Sequence, residues 1–403
     1  MKTYVSDIIT CDVIKKLEAG QNYLIGSEMG SGKNYWVRNT LLPYTVENKQ
    51  KVLLVVHRTA IKGQQTKYLQ PFVEDCIRTF KGVGFEVRSY QSIEQIIKHG
   101  RSELIDEYDY IICDEAHYFV KDSIMNPNTV YFFEYLDNND RAIKVFATGT
   151  YKSFSYLKWR NKLIYLKHAD YNNSNVKEIY CYKDPILIES LIEEKISKGQ
   201  KVVMIVGNKK TGQAFKERIN AKSCFITAHH KECSEFLKII EDNTFESDFL
   251  IATSLICEGV ELKNSCVRTM VVDGIEDLEP IAQCPARVRD DEVVLFINQP
   301  TYQKLVNRSL KYESKLNLID EFEQLGYLEY EQKYGYETIH QSHDFLLTSQ
   351  RQFANRAENE LIIKLNPCVV ANYKYQYDMY QKMIELGFDH ALKEYFPRAV
   401  IYN

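Results

Sequence analysis

The sequence contains no apolar run near the roughly 20 residues a membrane-spanning helix needs; its longest stretches, such as the one ending at Val206, are about half a dozen residues. The opening residues, Met-Lys-Thr-Tyr-Val-Ser-Asp, lack the long apolar stretch of a secretory signal. Neither sign of charge dominates. Lys and Arg total 51 against 55 Asp and Glu, a net charge of −4. This excludes a chain coated in positive charge and confines any nucleic-acid binding to local basic grooves. The 10 cysteines form no CxxC pair, and no Cys/His cluster has zinc spacing. Several, including Cys113 and Cys224, sit in apolar runs, so buried free thiols in a reducing cytoplasm are expected. There is no low-complexity tract and no repeat at the roughly 20–50-residue period of solenoids.

What is present is an ordinary globular composition, 45% hydrophobic and 26% charged, which excludes a disordered or fibrous chain. At roughly 150 residues per domain, 403 residues suggest two or three domains. Short apolar runs alternate with amphipathic stretches. The runs are Tyr23–Gly26, Val52–Val56, Tyr110–Cys113, Val145–Ala147, Val202–Val206, Phe249–Ala252, Thr269–Val272 and Val293–Ile297. Most lack polar alternation, as expected of strands buried on both faces of a parallel sheet. Helical patterns lie between them, at Ile186–Ile196 and Thr211–Ile219. The alternation predicts an α/β fold. The polar, turn-rich segment Lys167–Lys177 is the expected linker, and past Pro300 a tyrosine-rich, mostly helical region with near-balanced charge is expected. The expected domains are residues 1–168, 169–300 and 301–403.

Two motifs carry chemistry. The first is Gly26-Ser27-Glu28-Met29-Gly30-Ser31-Gly32-Lys33-Asn34, which follows an apolar run and precedes a helical pattern. Glycines let such a loop aim its N–H groups at phosphate oxygens, the helix N-terminus adds partial positive charge, and Lys33 reaches the β and γ phosphates. Ser27, Met29, Gly30, Ser31, Gly32, Lys33 and Asn34 are therefore candidate nucleotide contacts. Asn34 stands where Ser or Thr usually ligates Mg²⁺; a carboxamide oxygen is a plausible substitute on a longer side chain.

The second is Tyr110-Ile111-Ile112-Cys113-Asp114-Glu115-Ala116-His117, two carboxylates emerging from a buried strand. Phosphoryl transfer needs one carboxylate for Mg²⁺ and one group to deprotonate the attacking water. Asp114 suits the first role, with Asn34 as a further metal ligand, and Glu115 the second.

Together these motifs resemble the superfamily 2 helicases, whose two RecA-like parallel-sheet domains bind ATP in a cleft between them. The resemblance implies ATP and Mg²⁺ as cofactors, and further motifs on the rest of the chain. Arg58 and Thr59, in Val55-Val56-His57-Arg58-Thr59, and Gln91 and Ser92, in Ser89-Tyr90-Gln91-Ser92, occupy positions that contact the nucleic-acid backbone in that family. Thr148 and Thr150 of Ala147-Thr148-Gly149-Thr150, with His117, are placed to couple hydrolysis to domain motion. In the second half, Asn208 and Thr253 match nucleic-acid positions, and Gly259 and Glu261 match nucleotide positions. Gln283-Cys284-Pro285-Ala286-Arg287-Val288-Arg289 matches the last motif; Gln283, Arg287 and Arg289 are its implied catalytic residues, the arginines stabilising γ-phosphate charge. The Arg-Val-Arg spacing is similar to herpesvirus origin-binding proteins and several phage helicases. The resemblance covers roughly residues 20 to 300.

Nearly every motif lies just beyond the C-terminal end of a predicted strand, where open α/β sheets bind ligands. The expected function is an ATP-dependent helicase or translocase, preferring DNA to RNA, located in the cytoplasm (a host's, if phage-encoded). Phage or mobile-element replication, with a replication or loading partner protein, is the implied setting. Two alternatives remain open. One is a nucleotide-gated nucleic-acid binder whose turnover Asn34 has weakened; the other is a non-unwinding translocase of a defence or restriction system. His229-His230 is expected to be a solvated turn. The tyrosines of Tyr373–Tyr380 fit either base stacking or an amphipathic surface.

Overall fold

The computed structural model describes residues 4–27, 30–57, 84–168, 175–227, 233–253, 262–264, 266–288, 292–352 and 359–403. These fall into two compact units. The described parts of Met1–Ser27, Gly32–His168 and Asn307–Tyr380 form the first, and those of Glu28–Ser31, Ala169–Val306 and Gln381–Asn403 form the second.

The first unit opens with two single-turn helices, α1 (Val5–Ile8) and α2 (Cys11–Ile14). The elements β1 (Asn22–Gly26), α3 (Lys33–Trp36), a π-turn (Val37–Leu41), α4 (Leu42–Glu47), β2 (Val52–Val56), β3 (Phe85–Ser89), α5 (Tyr90–Lys98) and β4 (Tyr110–Asp114) follow. The series ends with α6 (Tyr118–Lys121), α7 (Thr129–Asn138), β5 (Ile143–Thr148), α8 (Tyr151–Phe154) and β6 (Leu163–His168). The strands form one parallel sheet in the order β3-β2-β4-β5-β1-β6. The central strands are buried on both faces, which is why their sequences are apolar without alternation. One face, with Tyr23, Ile25, Leu54, Val56, Ile112 and Val145, packs on Trp36 and Leu41. Elsewhere in the unit Tyr90 stacks on Tyr118 at 4.3 Å between ring centroids and meets Phe119 edge-on at 5.3 Å.

The second unit contains β7 (Val176–Tyr182), α9 (Pro185–Ser197), β8 (Lys201–Val206), α10 (Lys209–Arg218), β9 (Ser223–Ile226), α11 (Ser234–Asp242), β10 (Phe249–Ala252), β11 (Val267–Asp273), α12 (Leu278–Gln283) and β12 (Val293–Asn298). Its core gathers Val202, Met204, Phe215, Ile251 and Val271. The C-terminal region is mostly helical, as expected. It holds α13 (Tyr302–Tyr334), interrupted at Gly326, then α14 (Tyr336–Ser342), α15 (Pro367–Leu386) and α16 (Phe388–Lys393). It also carries an antiparallel hairpin, β13 (Leu346–Gln352) with β14 (Asn359–Leu365), and a last strand, β15 (Val400–Tyr402). That strand joins the second parallel sheet, whose order is β15-β7-β12-β11-β8-β10-β9.

The eight described cysteines are free, with Cys113, Cys284 and Cys368 buried and Cys11 exposed. No helix among the described residues is long and apolar enough to cross a membrane. Of the tyrosines considered for base stacking, Tyr373, Tyr375 and Tyr380 are buried in the core. Their rings pack internally, Tyr312 lying 5.9 Å from Tyr380 and stacked on it.

Candidate functional site

Three motifs of the first unit end on neighbouring strands. β5 lies between β4 and β1, with Asp114 opposite Ala147 and Gly26 opposite Thr148. The N–H of Ser27 donates to the Thr148 carbonyl at 3.1 Å, and that of Ala116 to the Ala147 carbonyl at 3.0 Å. The phosphate-loop segment and the Asp-Glu-Ala-His turn are thus both hydrogen-bonded to the end of β5.

The loop has the backbone its glycines predict. Gly30 and Gly32 have φ of 70° and 83°, in the left-handed region that favours glycine, and Gly32 caps α3. The helical run behind it is fixed by Trp36, whose indole N–H donates to the Ile9 carbonyl at 2.8 Å. Lys33 is the first residue of that run, and its Nζ donates to the Ser27 carbonyl at 3.0 Å, folded back over the loop. Ser31 is buried. Asn34 is exposed, and no hydrogen bond joins it to Asp114 among the described residues.

At the second motif Asp114 closes β4, and Asp114 and Glu115 are only 8% and 9% exposed. Glu115 has a φ of 53°, which a side chain with a Cβ adopts at a cost. The N–H of Glu115 donates to Oδ1 of Asp114 at 3.1 Å. His117 is buried; its Nδ1 lies 3.0 Å from Thr148 Oγ1 and 3.5 Å from Glu115 Oε2. Thr148 Oγ1 also accepts from the N–H of Thr150 at 3.0 Å. The three residues expected to couple hydrolysis to motion therefore form one contiguous buried chain, with Glu115 at its end.

Gln91 is exposed and Ser92 half-buried in the first turn of α5, where the N–H of Ser92 donates to Ser89 Oγ at 3.3 Å. In the second unit, Asn208 Oδ1 caps α10 by accepting from the N–H of Thr211 at 2.8 Å, and Thr253 follows β10 directly. Gln283 ends α12, and its buried Nε2 has no hydrogen-bond partner among the described residues. Arg287 lies on the next turn, Pro285–Arg287, and is buried. Met29, Arg58, Thr59, His229, His230, Gly259, Glu261 and Arg289 lie outside the described residues.

Two groups carried no signal in the motifs. Tyr90, inside a segment considered only for its polar residues, donates its hydroxyl to the Asp114 carbonyl at 3.0 Å. Its aromatic character amid polar neighbours marks it as an inward-facing residue. Asn175, inside the turn-rich linker, donates from Nδ2 to the carbonyls of Pro285 at 2.7 Å and Val288 at 3.2 Å. No local pattern reveals a partner 110 residues away.

The donor set fits a nucleoside triphosphate: a glycine cradle, one ammonium folded over it, and a helix start behind. Mg²⁺ fits Asp114, because that ion is usually held by one or two carboxylates with substrate phosphates and water. Among the described residues there is no group of three or more His, Cys, Asp or Glu able to hold a metal by itself.

Residues 8–153 match the family model described as type III restriction enzyme, res subunit. No curated protein matches the sequence. Solved structures of superfamily 2 helicases share the fold. S. cerevisiae Dbp5 bound to RNA and ADP BeF3 is 13% identical with a TM-score of 0.51, over 71% of this chain and 82% of that one. Mss116p bound to ssRNA and AMP-PNP is 10% identical with a TM-score of 0.54, over 79% and 80%. The Escherichia coli DEAH/RHA helicase HrpB is 12% identical with a TM-score of 0.53, over 94% of this chain and 50% of that one. The tandem RecA-like architecture expected from the sequence is the architecture observed.

Proposed function

We propose that the chain is an ATP-dependent nucleic-acid motor of the superfamily 2 type, acting on DNA. The observation that carries this reading is the convergence of Ser27, Glu115, His117 and Thr148 on the end of β5. The residues divide the work. Lys33 offsets phosphate charge, and the loop N–H groups orient the phosphates. Asp114 would hold Mg²⁺, with Asn34 as a further ligand on this reading, and the ion would supply positive charge to offset that of the phosphates. Glu115 accepts the proton of the attacking water, and buried His117 and Thr148 fix its position. On this reading Gln283, Arg287 and Arg289, the residues of the last motif, stabilise the charge that develops on the transferred phosphoryl group. Gly259 and Glu261 complete the nucleotide contacts. Arg58, Thr59, Gln91, Ser92, Asn208 and Thr253 grip the sugar-phosphate backbone, so binding weakens as salt rises.

The preference for DNA, and for a role in phage or mobile-element replication with a loading partner, is supported by the Arg-Val-Arg spacing alone. Two of the neighbours named above, Dbp5 and Mss116p, are bound to RNA, which makes the choice of polymer the first thing to measure. A second reading, a translocase that moves on duplex DNA without separating it, is favoured by the matching restriction-subunit family.

The deciding experiment is phosphate release from Mg²⁺-ATP by the whole chain, alone and with single-stranded DNA, duplex DNA or RNA. Strong stimulation by single-stranded DNA with strand separation supports the proposal. Stimulation by duplex DNA without separation selects the translocase, and stimulation by RNA alone removes the DNA assignment. ATP binding with no release under any condition selects a nucleotide-gated binder.

A further inference from the structure

Three neighbouring strands of the first unit, β3, β2 and β4, end at one cluster of buried rings. Tyr90 follows β3 and opens α5, His57 follows β2, and Tyr118 opens α6 shortly after Asp114 closes β4. The Tyr90 and Tyr118 rings stack at 4.3 Å, Phe119 meets Tyr90 edge-on at 5.3 Å, and the His57 ring lies 4.8 Å from that of Tyr118. His57 Nε2 lies 2.8 Å from Oδ2 of Asp122, the residue after α6. All four rings are buried.

Phenylalanine would serve for packing alone, so the two hydroxyls show what the cluster holds. That of Tyr118 donates to Glu94 Oε1 at 2.8 Å, and Asn126 Nδ2 donates to Glu94 Oε2 at 2.8 Å. Glu94 thereby ties α5 to the segment that follows the Asp-Glu-Ala-His turn. The hydroxyl of Tyr90 reaches from the end of β3 to the end of β4, with β2 between them, and donates to the Asp114 carbonyl at 3.0 Å.

That carbonyl belongs to the peptide joining the residue proposed to hold Mg²⁺ to the residue proposed to deprotonate water. The N–H of the same peptide, on Glu115, donates to Asp114 Oδ1 at 3.1 Å. Both polar groups of one amide plane are engaged, one by α5 and one by the Asp114 carboxylate. Glu115 has a φ of 53°, a conformation that persists only where its surroundings hold it. Rotating the plane changes ψ of Asp114 and φ of Glu115 together, and so re-aims the Glu115 side chain against that of Asp114.

At its other end Tyr90 is flanked by Ser89 and Gln91. Gln91 is exposed and Ser92 half-buried in the same helical turn, and both are polymer contacts on the reading above. A shift of this turn carries the Tyr90 hydroxyl with it. The buried peptide must then follow or lose this donor, which is unfavourable.

We infer that Tyr90 is a positioning residue whose hydroxyl sets the peptide plane between Asp114 and Glu115, so that the placement of the first turn of α5 controls the hydrolytic geometry. The inference deepens the motor reading and rests on it. It makes the polymer-contacting turn of the first unit an input to hydrolysis.

The test compares the wild-type chain with Tyr90→Phe and Tyr118→Phe. Each variant removes one buried hydroxyl and keeps its ring, but only the first removes the donor to the peptide of the two carboxylates. Basal kcat, kcat at saturating single-stranded DNA, duplex DNA or RNA, KM for ATP and Tm are measured for each. Tyr90→Phe is expected to lose about tenfold in polymer-stimulated kcat and about threefold in basal kcat, with KM for ATP changed by less than about twofold. Tyr118→Phe is expected to lower Tm at least as much, because it deprives buried Glu94 of a donor, while both rates stay within about twofold of wild type. Equal losses of kcat in the two variants, or wild-type rates in Tyr90→Phe, overturn the inference and leave Tyr90 as a core residue. If Tyr90→Phe does not fold, hydrogen exchange of the wild-type chain at saturating Mg²⁺ and a non-hydrolysable ATP analogue decides. Adding the polymer should then slow exchange at residues 90–94 and 114–118 together, and no change at 114–118 overturns the inference. A wild-type chain that hydrolyses ATP with no response to any polymer removes the motor reading; the basal kcat of Tyr90→Phe then decides the positioning role, and equality with wild type overturns it. No hydrolysis by the wild type under any condition overturns both.

Discussion

His117 Nδ1 and Thr148 Oγ1 lie 3.0 Å apart, both side chains buried, and join the turn after β4 to the end of β5. Because Thr148 Oγ1 also accepts from the N–H of Thr150, the hydroxyl holds two segments at once. Thr148→Val keeps the shape and removes the oxygen. It is expected to cost about 1 kcal/mol of stability, read by chemical denaturation. Polymer-stimulated hydrolysis should fall more than nucleotide affinity. Equal stimulation in Thr148→Val and wild type would show that this contact is structural only.

Lys33 and Glu115 should separate binding from chemistry. Lys33→Ala removes the only ammonium of the loop and is expected to abolish fluorescent-ATP binding. Glu115→Gln should bind ATP normally and lose about 10²- to 10⁴-fold in hydrolysis, the range for a general base. The backbone adds an independent check. With φ of 53° at position 115, Glu115→Gly should be more stable than Glu115→Ala by roughly 1 kcal/mol, although both are inactive. The ordering of their melting temperatures tests whether the catalytic position is held in a strained conformation.

The sheet cores were legible because strands buried on both faces must be apolar throughout, as Val-Leu-Leu-Val-Val of β2 is. The edge strands were not. Phe-Glu-Val-Arg-Ser of β3 is half-buried, and its alternation carries little signal. Nothing local marks Val400–Tyr402 as the seventh strand of a sheet whose partner lies more than 200 residues earlier. In the candidate site, Lys33, Asp114 and Glu115 were proposed from what phosphoryl transfer requires, and the structure puts Asp114 at the end of β4 and Lys33 at the start of α3. Tyr90 and Asn175 were not, because each acts through hydrogen bonds to distant backbone carbonyls. A carbonyl acceptor leaves no trace in residue identity.

Gly207 marks a close backbone crossing in the second unit. It follows β8, its N–H donates to the Asp273 carbonyl at 2.8 Å, and a Cβ built there would lie 2.1 Å from the Gly274 carbonyl oxygen. Backbone cannot yield as a side chain can. Gly207→Ala should therefore destabilise by more than about 2 kcal/mol, read as a loss of several degrees in Tm. Gly199→Ala has open space at its Cβ, so its cost, from its left-handed φ of 76°, should be smaller. Equal losses would mean that the crossing relaxes freely.

Glu94 gives a pH dependence whose sign can be stated. It is 1% exposed and accepts from Tyr118 and Asn126, each at 2.8 Å. Burial raises its carboxyl above the ordinary range, with the Asp122 charge adding to the rise; the Asn126 and Tyr118 hydrogen bonds and His57 oppose it. A carboxyl raised in the folded state contributes stability below its unfolded pKa of about 4.3, and loses it as pH climbs through the folded value. Wild-type stability should therefore fall with rising pH across that window, by the Glu94 share. Glu94→Gln cannot ionise. It sets an amide against Asn126, a penalty that does not vary with pH. Unfolding free energies of the two proteins, measured from about pH 4 to about pH 8, should show the variant gaining on wild type as pH rises. Parallel curves would mean that Glu94 titrates alike folded and unfolded, and that Tyr118 and Asn126 fully offset its burial.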